Sequence, residues 1–184
     1  STALNRYREF VLEDDVDVTM GLYGSEPGLT VMQEIPEHET LHVAGGVATT
    51  QINDLLKEDY ESYKYWFRSM WNGYDYGITM ATQAQAQWED WGIEKIGIAV
   101  EDIEGFRQKI HPVAVENLPD SIEIAFTDIF SIDTSDFSPI LNKGEEHDID
   151  AMWSFVGHNA AAFATQWSKQ QPSYTYGGAD AFAG

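Results

Sequence analysis

The chain has 184 residues, 43% hydrophobic and 13% aromatic, which is enough to bury a sizeable core and excludes disorder throughout. Its 31 acidic residues against 10 basic ones give a formal net charge of −21, which disfavours capture of nucleic acid or anionic lipid by Coulomb attraction. With no cysteine, disulfides and thiolate metal sites are excluded.

The acid excess fits a halophilic protein, whose self-repulsion is screened within roughly 3 Å at 1 M salt, and fits an acidic protein of ordinary surroundings equally well. The opening "STALNRYREF" lacks the basic and apolar regions of a signal peptide, and no apolar run is long enough to span a membrane.

Residues 1–28, with the acidic block "EDDVDV" and the turn-rich "YGSEPG", predict an N-terminal arm and loop. From Leu29 to Ile52 the stretches "LTVMQEI", "TLHVAGG" and "ATTQI" are β-prone, punctuated by Pro36 and Gly45-Gly46. The period then changes. Leu56, Tyr60, Tyr63, Phe67 and Met70 recur at spacings of three and four, which predicts an amphipathic, aromatic helix over residues 54–71, stopped by Gly73.

After it, "GITMATQAQAQW" alternates with period two and predicts a long strand with Gln83, Gln85 and Gln87 along one polar face. "EKIGIAVED", "KIHPVAVENL", "DSIEIAFTDIF" and "DIDAMWSFV" predict further strands. "HNAAAFATQWSKQQP" predicts a second helix, capped by Asn159 and stopped by Pro172, and leads into an aromatic extension. The pattern implies a mainly β (α+β) fold: a β-sandwich or barrel over residues 29–157 with one packed amphipathic helix, and terminal extensions at 1–28 and 158–184.

The sharpest string is His38-Glu39-Thr40-Leu41-His42, the H-E-x-x-H spacing of zinc peptidases. On a helix, His38 and His42 would face one ion and Glu39 would act as base, with Glu58 or Glu61 as a possible further ligand. Pro36 and Gly45-Gly46 leave barely two turns for that helix, and on a strand the two histidines stand about 13 Å apart, too far to share a metal. Exposed tryptophans such as Trp88 and Trp91 suit a carbohydrate-binding module as a further alternative.

The run "EIPEHETLHVAGG", then "TTQIND", then a helix with a Trp-Phe core resembles the tail tube proteins of contractile-tail bacteriophages, as do "KIHPVAVENL", "DSIEIAF" and "DIDAMWSFV" further on. The resemblance implies a non-enzymatic virion protein, without cofactor or metal, assembled in the host cytoplasm. It implies hexameric rings stacked into a conduit through which DNA passes without tight binding, alongside other virion proteins. The uncharged Gln83, Gln85 and Gln87 face and the aromatic ends carrying Tyr7, Tyr174 and Tyr176 are the candidate subunit contacts. The zinc peptidase remains the alternative.

Overall fold

The computed structural model describes residues 2–180, and in it every strand pairs parallel to its neighbour. Parallel strands need a crossover between them, so helices separate the strands along the described residues. The chain divides into two compact units, residues 1–75 and 76–184.

The first unit runs α1 (Thr2–Leu12), β1 (Val18–Tyr23), α2 (Ser25–Met32), α3 (Ile35–His38), β2 (Leu41–Gly46), α4 (Gln51–Glu58), α5 (Tyr60–Tyr63) and β3 (Trp66–Arg68). Its sheet has the order β1-β2-β3, with Val18 opposite Leu41 and His42 opposite Trp66. Val31, Met32, Ile35, Ala44, Val47 and Ile52 form its core together with Tyr7 and Trp66. Asp59, at φ −144°, ends α4, and its side chain accepts from the Ser62 amide to start α5.

The chain enters the second unit along α6 (Gly73–Trp91). There follow β4 (Lys95–Glu101), a π-helical turn (Gly105–Ile110), α7 (His111–Glu116), β5 (Glu123–Phe130), α8 (Ser138–Glu146), β6 (Ala151–Val156), α9 (Ala160–Gln170) and β7 (Thr175–Asp180). The sheet order is β5-β4-β6-β7. Ile96, Ile98, Val100, Trp153 and Phe155 pack on one face with Met80, Ala84 and Trp88 of α6 and with Phe106 and Ile110 of the π turn. Ala99, Met152 and Val156 pack on the other face with Leu141 of α8 and Phe163 of α9. Gly97 lets the sheet close on its neighbours, because a Cβ there would stand 2.5 Å from Phe126 Cζ and 3.0 Å from Ile149 Cδ1.

The fold is therefore α/β with parallel sheets, and the expected mainly β sandwich or barrel is overturned. Strands β2, β4, β5 and β6 lie within segments read as β-prone or as strands, but other segments change identity: the expected N-terminal arm over residues 1–28 is α1, β1 and the start of α2, and "ATTQI" is a loop that runs into α4. "GITMATQAQAQW" is part of α6, where Met80, Ala84 and Trp88 are buried at a spacing of four. "LTVMQEI" begins within α2, and "KIHPVAVENL" closes the π turn and forms α7. The helix expected over residues 54–71 breaks at Asp59 and ends in strand β3, where Phe67 is 53% exposed. Asn159 occupies the N-cap position of α9 but makes no side-chain cap bond, its side-chain amide donating instead to Glu101 and to Ile132 O, while Ser1 and residues 181–184 of the expected extensions lie outside the described residues.

Phe137 touches both Phe130 and Phe163, with ring centroids 5.3 and 5.0 Å apart, and is fully buried. Phe137→Ala is expected to cost about 3–5 kcal/mol as an aromatic truncation in a packed core. Phe67→Ala, at an exposed strand position, is expected to stay within about 0.5 kcal/mol. Urea denaturation of the two variants checks the assignment, and equal midpoints would contradict the packing described.

Candidate functional site

In open parallel sheets the strand-to-helix turns gather at the carboxyl ends of the strands, and ligands bind there. Each unit presents one such rim.

In the first unit the rim is formed by Gly24-Ser25 after β1, residues 47–50 after β2 and residues 69–72 after β3. Neither Gly24 nor Thr50, the residues before α2 and α4, caps its helix with a side chain, so neither cap supplies an acceptor to the first-turn N–H groups. Thr49, 6% exposed, accepts from the Gln51 amide at 3.3 Å. The loop after β2 is stapled by Arg68. Its Nη1 donates to the carbonyls of Val47 (3.2 Å) and Thr49 (2.9 Å), and its Nη2 donates to Asn53 Oδ1 at 2.7 Å. Burial disfavours the charged guanidinium and lowers its pKa, so these neutral acceptors are what hold it in place. The Gly73 amide donates to Ala48 O at 2.6 Å and ties the loop after β3 to the same edge. The rim thus offers hydroxyls and helix N-termini, groups that donate hydrogen bonds to a polar or anionic head group.

In the second unit the chain leaves β4 for β5 on one side and later returns to place β6 on the other, which makes the β4–β6 gap the topological switch point. At that gap stands Glu101, the last residue of β4, at 0% exposure. Its Oε2 accepts from the Gly157 and His158 amides at 2.6 and 2.8 Å, and its Oε1 accepts from the Asn159 amide at 3.2 Å and from Asn159 Nδ2 at 2.9 Å. Asn159 Nδ2 also donates to Ile132 O at 2.8 Å, joining the turn after β5 to that after β6.

The sequence-predicted site residues are distributed differently. His38 ends α3, Glu39 turns left-handed at φ 51°, and His42 lies inside β2, so the helix that H-E-x-x-H chemistry needs does not form. His42 Nδ1 lies 2.8 Å from Thr19 Oγ1, and its ring packs on Trp66 at 4.7 Å. His38 instead approaches Glu34, 3.5 Å away. Among the described residues, the group close enough to share an ion is Glu34, Glu37 and His38, without His42; Glu34 gives both its oxygens to Arg8, at 2.8 and 3.0 Å. The peptidase alternative is thereby overturned on geometry.

Gln83, Gln85 and Gln87 are exposed on α6, and Gln85 Nε2 donates to Asn117 O at 2.6 Å. Gln83 and Gln87 also line a cavity of about 230 Å³ along β6 and β7, with Trp88, Trp91, Trp153 and Tyr176. That cavity takes its strand walls from residues 151–153 and 175–178 and excludes the turn after β6, so it is separate from the rim. Tyr7 and Tyr174 are core residues rather than free arms, and Tyr174 donates to Leu141 O at 2.9 Å. Tyr176 stacks on Phe163 at 5.6 Å. Trp88 is buried against Trp153, while Trp91 is 64% exposed.

Sequence reasoning passed over Ser25, Thr49, Arg68 and Glu101. The available signal was positional: "GSEP" and "ATTQ" are small-polar turns directly after β-prone runs, and Glu101 closes the apolar run "IGIAV".

Comparison with known proteins bears on the fold and the family. Residues 1–177 match the sequence model of the family described as periplasmic binding protein. No curated protein matches the chain. Among solved structures, a branched-chain amino acid transporter substrate-binding protein, LivJ, from Streptococcus pneumoniae in complex with isoleucine superposes with a TM-score of 0.78 at 16% identity, over 96% of this chain and 47% of that one. A solute-binding protein of an ABC transporter from Rhodopseudomonas palustris, in complex with p-hydroxybenzoic acid, gives 0.75 at 16% identity over 96% and 46%. An ABC transporter substrate-binding protein from Sphaerobacter thermophilus gives 0.70 at 20% identity over 96% and 47%. The chain spans less than half the length of these structures. These findings overturn the tail tube resemblance, and with it the structural virion role, the homo-oligomeric rings, the virion and DNA partners and the virion location.

Burial holds the pKa of His42 down at about 4, against 6.5 for a free histidine. Above pH 6.5 the ring is neutral in both folded and unfolded chains and costs nothing. As pH falls from there towards 4, only the unfolded chain gains the proton, so stability is lost across that window, by up to about 3 kcal/mol. His42→Phe is expected to remove this part of the acid sensitivity. Denaturation midpoints of parent and variant followed from neutral to acid pH check it, and parallel curves would contradict a buried neutral His42.

Proposed function

We propose, from the premise that this chain belongs to the periplasmic binding protein family, that it is a non-enzymatic solute-binding protein that captures a small organic molecule and delivers it to an ABC transporter outside the cytoplasm. The observation that carries this reading is the composition of the first unit's rim. Ser25 stands at the start of α2, whose N-cap Gly24 supplies no side-chain acceptor, and Thr49 and Thr50 lead into α4 on a loop held rigid by the Arg68 staple, where Thr49 Oγ1 accepts from the Gln51 amide.

A pre-organised loop lowers the ordering cost of binding, and neutral donors at helix N-termini hold a carboxylate or another polar head group without a counter-cation. Trp71 and Tyr74, 56% and 54% accessible, follow β3 in the chain and offer apolar area for the rest of the solute. Solutes of the kind held by the superposing proteins, a branched-chain amino acid or a hydroxybenzoate, combine these two parts.

A thermal-denaturation screen of small aromatic acids and branched-chain amino acids tests the reading. A true solute at a hundred times its Kd is expected to add about 2.7 kcal/mol of stability. Ser25→Tyr, which fills the start of α2 with a ring, is expected to abolish that gain while leaving the ligand-free midpoint near the parent's. If no solute of either class stabilises the parent, or if Ser25→Tyr responds like the parent, the assignment fails.

A further inference from the structure

We propose that Glu101 is a built-in anion: its carboxylate permanently occupies the anion-binding cradle at the start of α9, so the second unit's switch point is closed to the anionic group of any solute. The cradle is made of three successive backbone amides, those of Gly157, His158 and Asn159, and the Asn159 side-chain amide, all donating to one carboxylate at 2.6 to 3.2 Å. The three amides belong to the turn that leads into α9, and successive N–H groups in such a turn form a concave site for a small oxyanion, to whose attraction the dipole of the following helix adds. α9 is an 11-residue helix, long enough for that field.

The occupant is unusual for its surroundings. It is fully buried at the end of β4, in a sequence run that is otherwise apolar, and no lysine or arginine pairs with it among the described residues. His158 lies close by, its Nδ1 3.8 Å from Glu101 Oε2. A charge taken so far out of water is tolerated only where hydrogen bonds replace its hydration, and here four donors do so. The arrangement is that of a bound carboxylate ion whose tether is the protein's own chain.

A consequence for specificity rests on the solute-binding reading. The polar group of a solute that meets this part of the rim is neutral or cationic, because the backbone donors a carboxylate would use are already taken by Glu101.

Removing the tethered carboxylate should leave a vacancy that a free one can fill. Parent, Glu101→Ala and Glu101→Gln are melted in sodium formate and in sodium chloride at equal ionic strength. Glu101→Ala is expected to melt below the parent and to recover by at least about 2 °C in formate over chloride. Parent and Glu101→Gln, whose cradles are filled, are expected to show no formate-specific rise. Should Glu101→Ala fail to fold in chloride, its refolding yield in formate replaces the melt. A formate response of Glu101→Ala no larger than its chloride response, or a parent that responds as strongly, overturns the proposal. The readout needs no solute, so a failed solute screen leaves it standing, and a failed formate rescue leaves the solute-binding reading untouched.

Discussion

Parallel strand pairing is the constraint from which the rest of this molecule follows. Two parallel strands cannot be joined by a tight turn, so every connection becomes a crossover, and the crossovers cover the faces of the sheet. The cost is that central strands must be apolar on both sides, and β6 is accordingly buried at all six positions. The gain is that all strands of a sheet end at the same edge. Chain reversals that would be scattered in an antiparallel fold are collected on one rim, each followed by the start of a helix with its unsatisfied N–H groups. In the second unit the β4–β6 switch point opens a gap on that rim, and Glu101 stands in it.

The same constraint explains which parts of the fold were legible. Strands β2, β4, β5 and β6 could be read because short runs rich in β-branched, aromatic and other apolar residues and bounded by polar or glycine residues indicate a strand in almost any architecture. Their parallel pairing could not be read, since a short apolar run carries no sign of its partner's direction. The decisive error was α6. "GITMATQAQAQW" satisfies period two and also satisfies period four through Met80, Ala84 and Trp88, because alanine and threonine fit either count. The high helix propensity of Ala, Gln and Met was the arbiter available, and it favours the observed helix. The helix expected over residues 54–71 failed for the opposite reason. Its periodicity was genuine up to Glu58, but the Asp59 side chain capped a new turn and the aromatic run Tyr65, Trp66, Phe67 preferred a strand.

The candidate site was less legible than the fold, because its chemistry resides in the backbone. H-E-x-x-H drew attention through its side chains, yet Glu39 in a left-handed turn separates His38, on a helix, from His42, on a strand. The groups that define the rims are amides of Gly157, His158 and Asn159, the helix starts at Ser25 and Gln51, and carbonyls gathered by Arg68. No residue type announces a backbone donor. What sequence could offer was placement, a small-polar turn directly after an apolar run, and that pattern acquires meaning only once the runs are known to be parallel strands.

The extreme acidity of the chain also changes meaning in this setting. With a net charge of −21, the protein's long-range field opposes the approach of any anion, yet the field is screened beyond about 8 Å at physiological ionic strength. Recognition of a polar head group therefore falls to contacts shorter than that, namely hydrogen bonds from amides and hydroxyls fixed in place before the solute arrives. Where such a set of donors points into the protein rather than out of it, as at α9, the sequence supplies its own carboxylate to fill it. The two rims therefore differ in one physical respect: the first leaves the start of α2 without a side-chain cap and meets α4 only with the neutral hydroxyl of Thr49, and the second has its strongest donor cluster already satisfied by the carboxylate of Glu101.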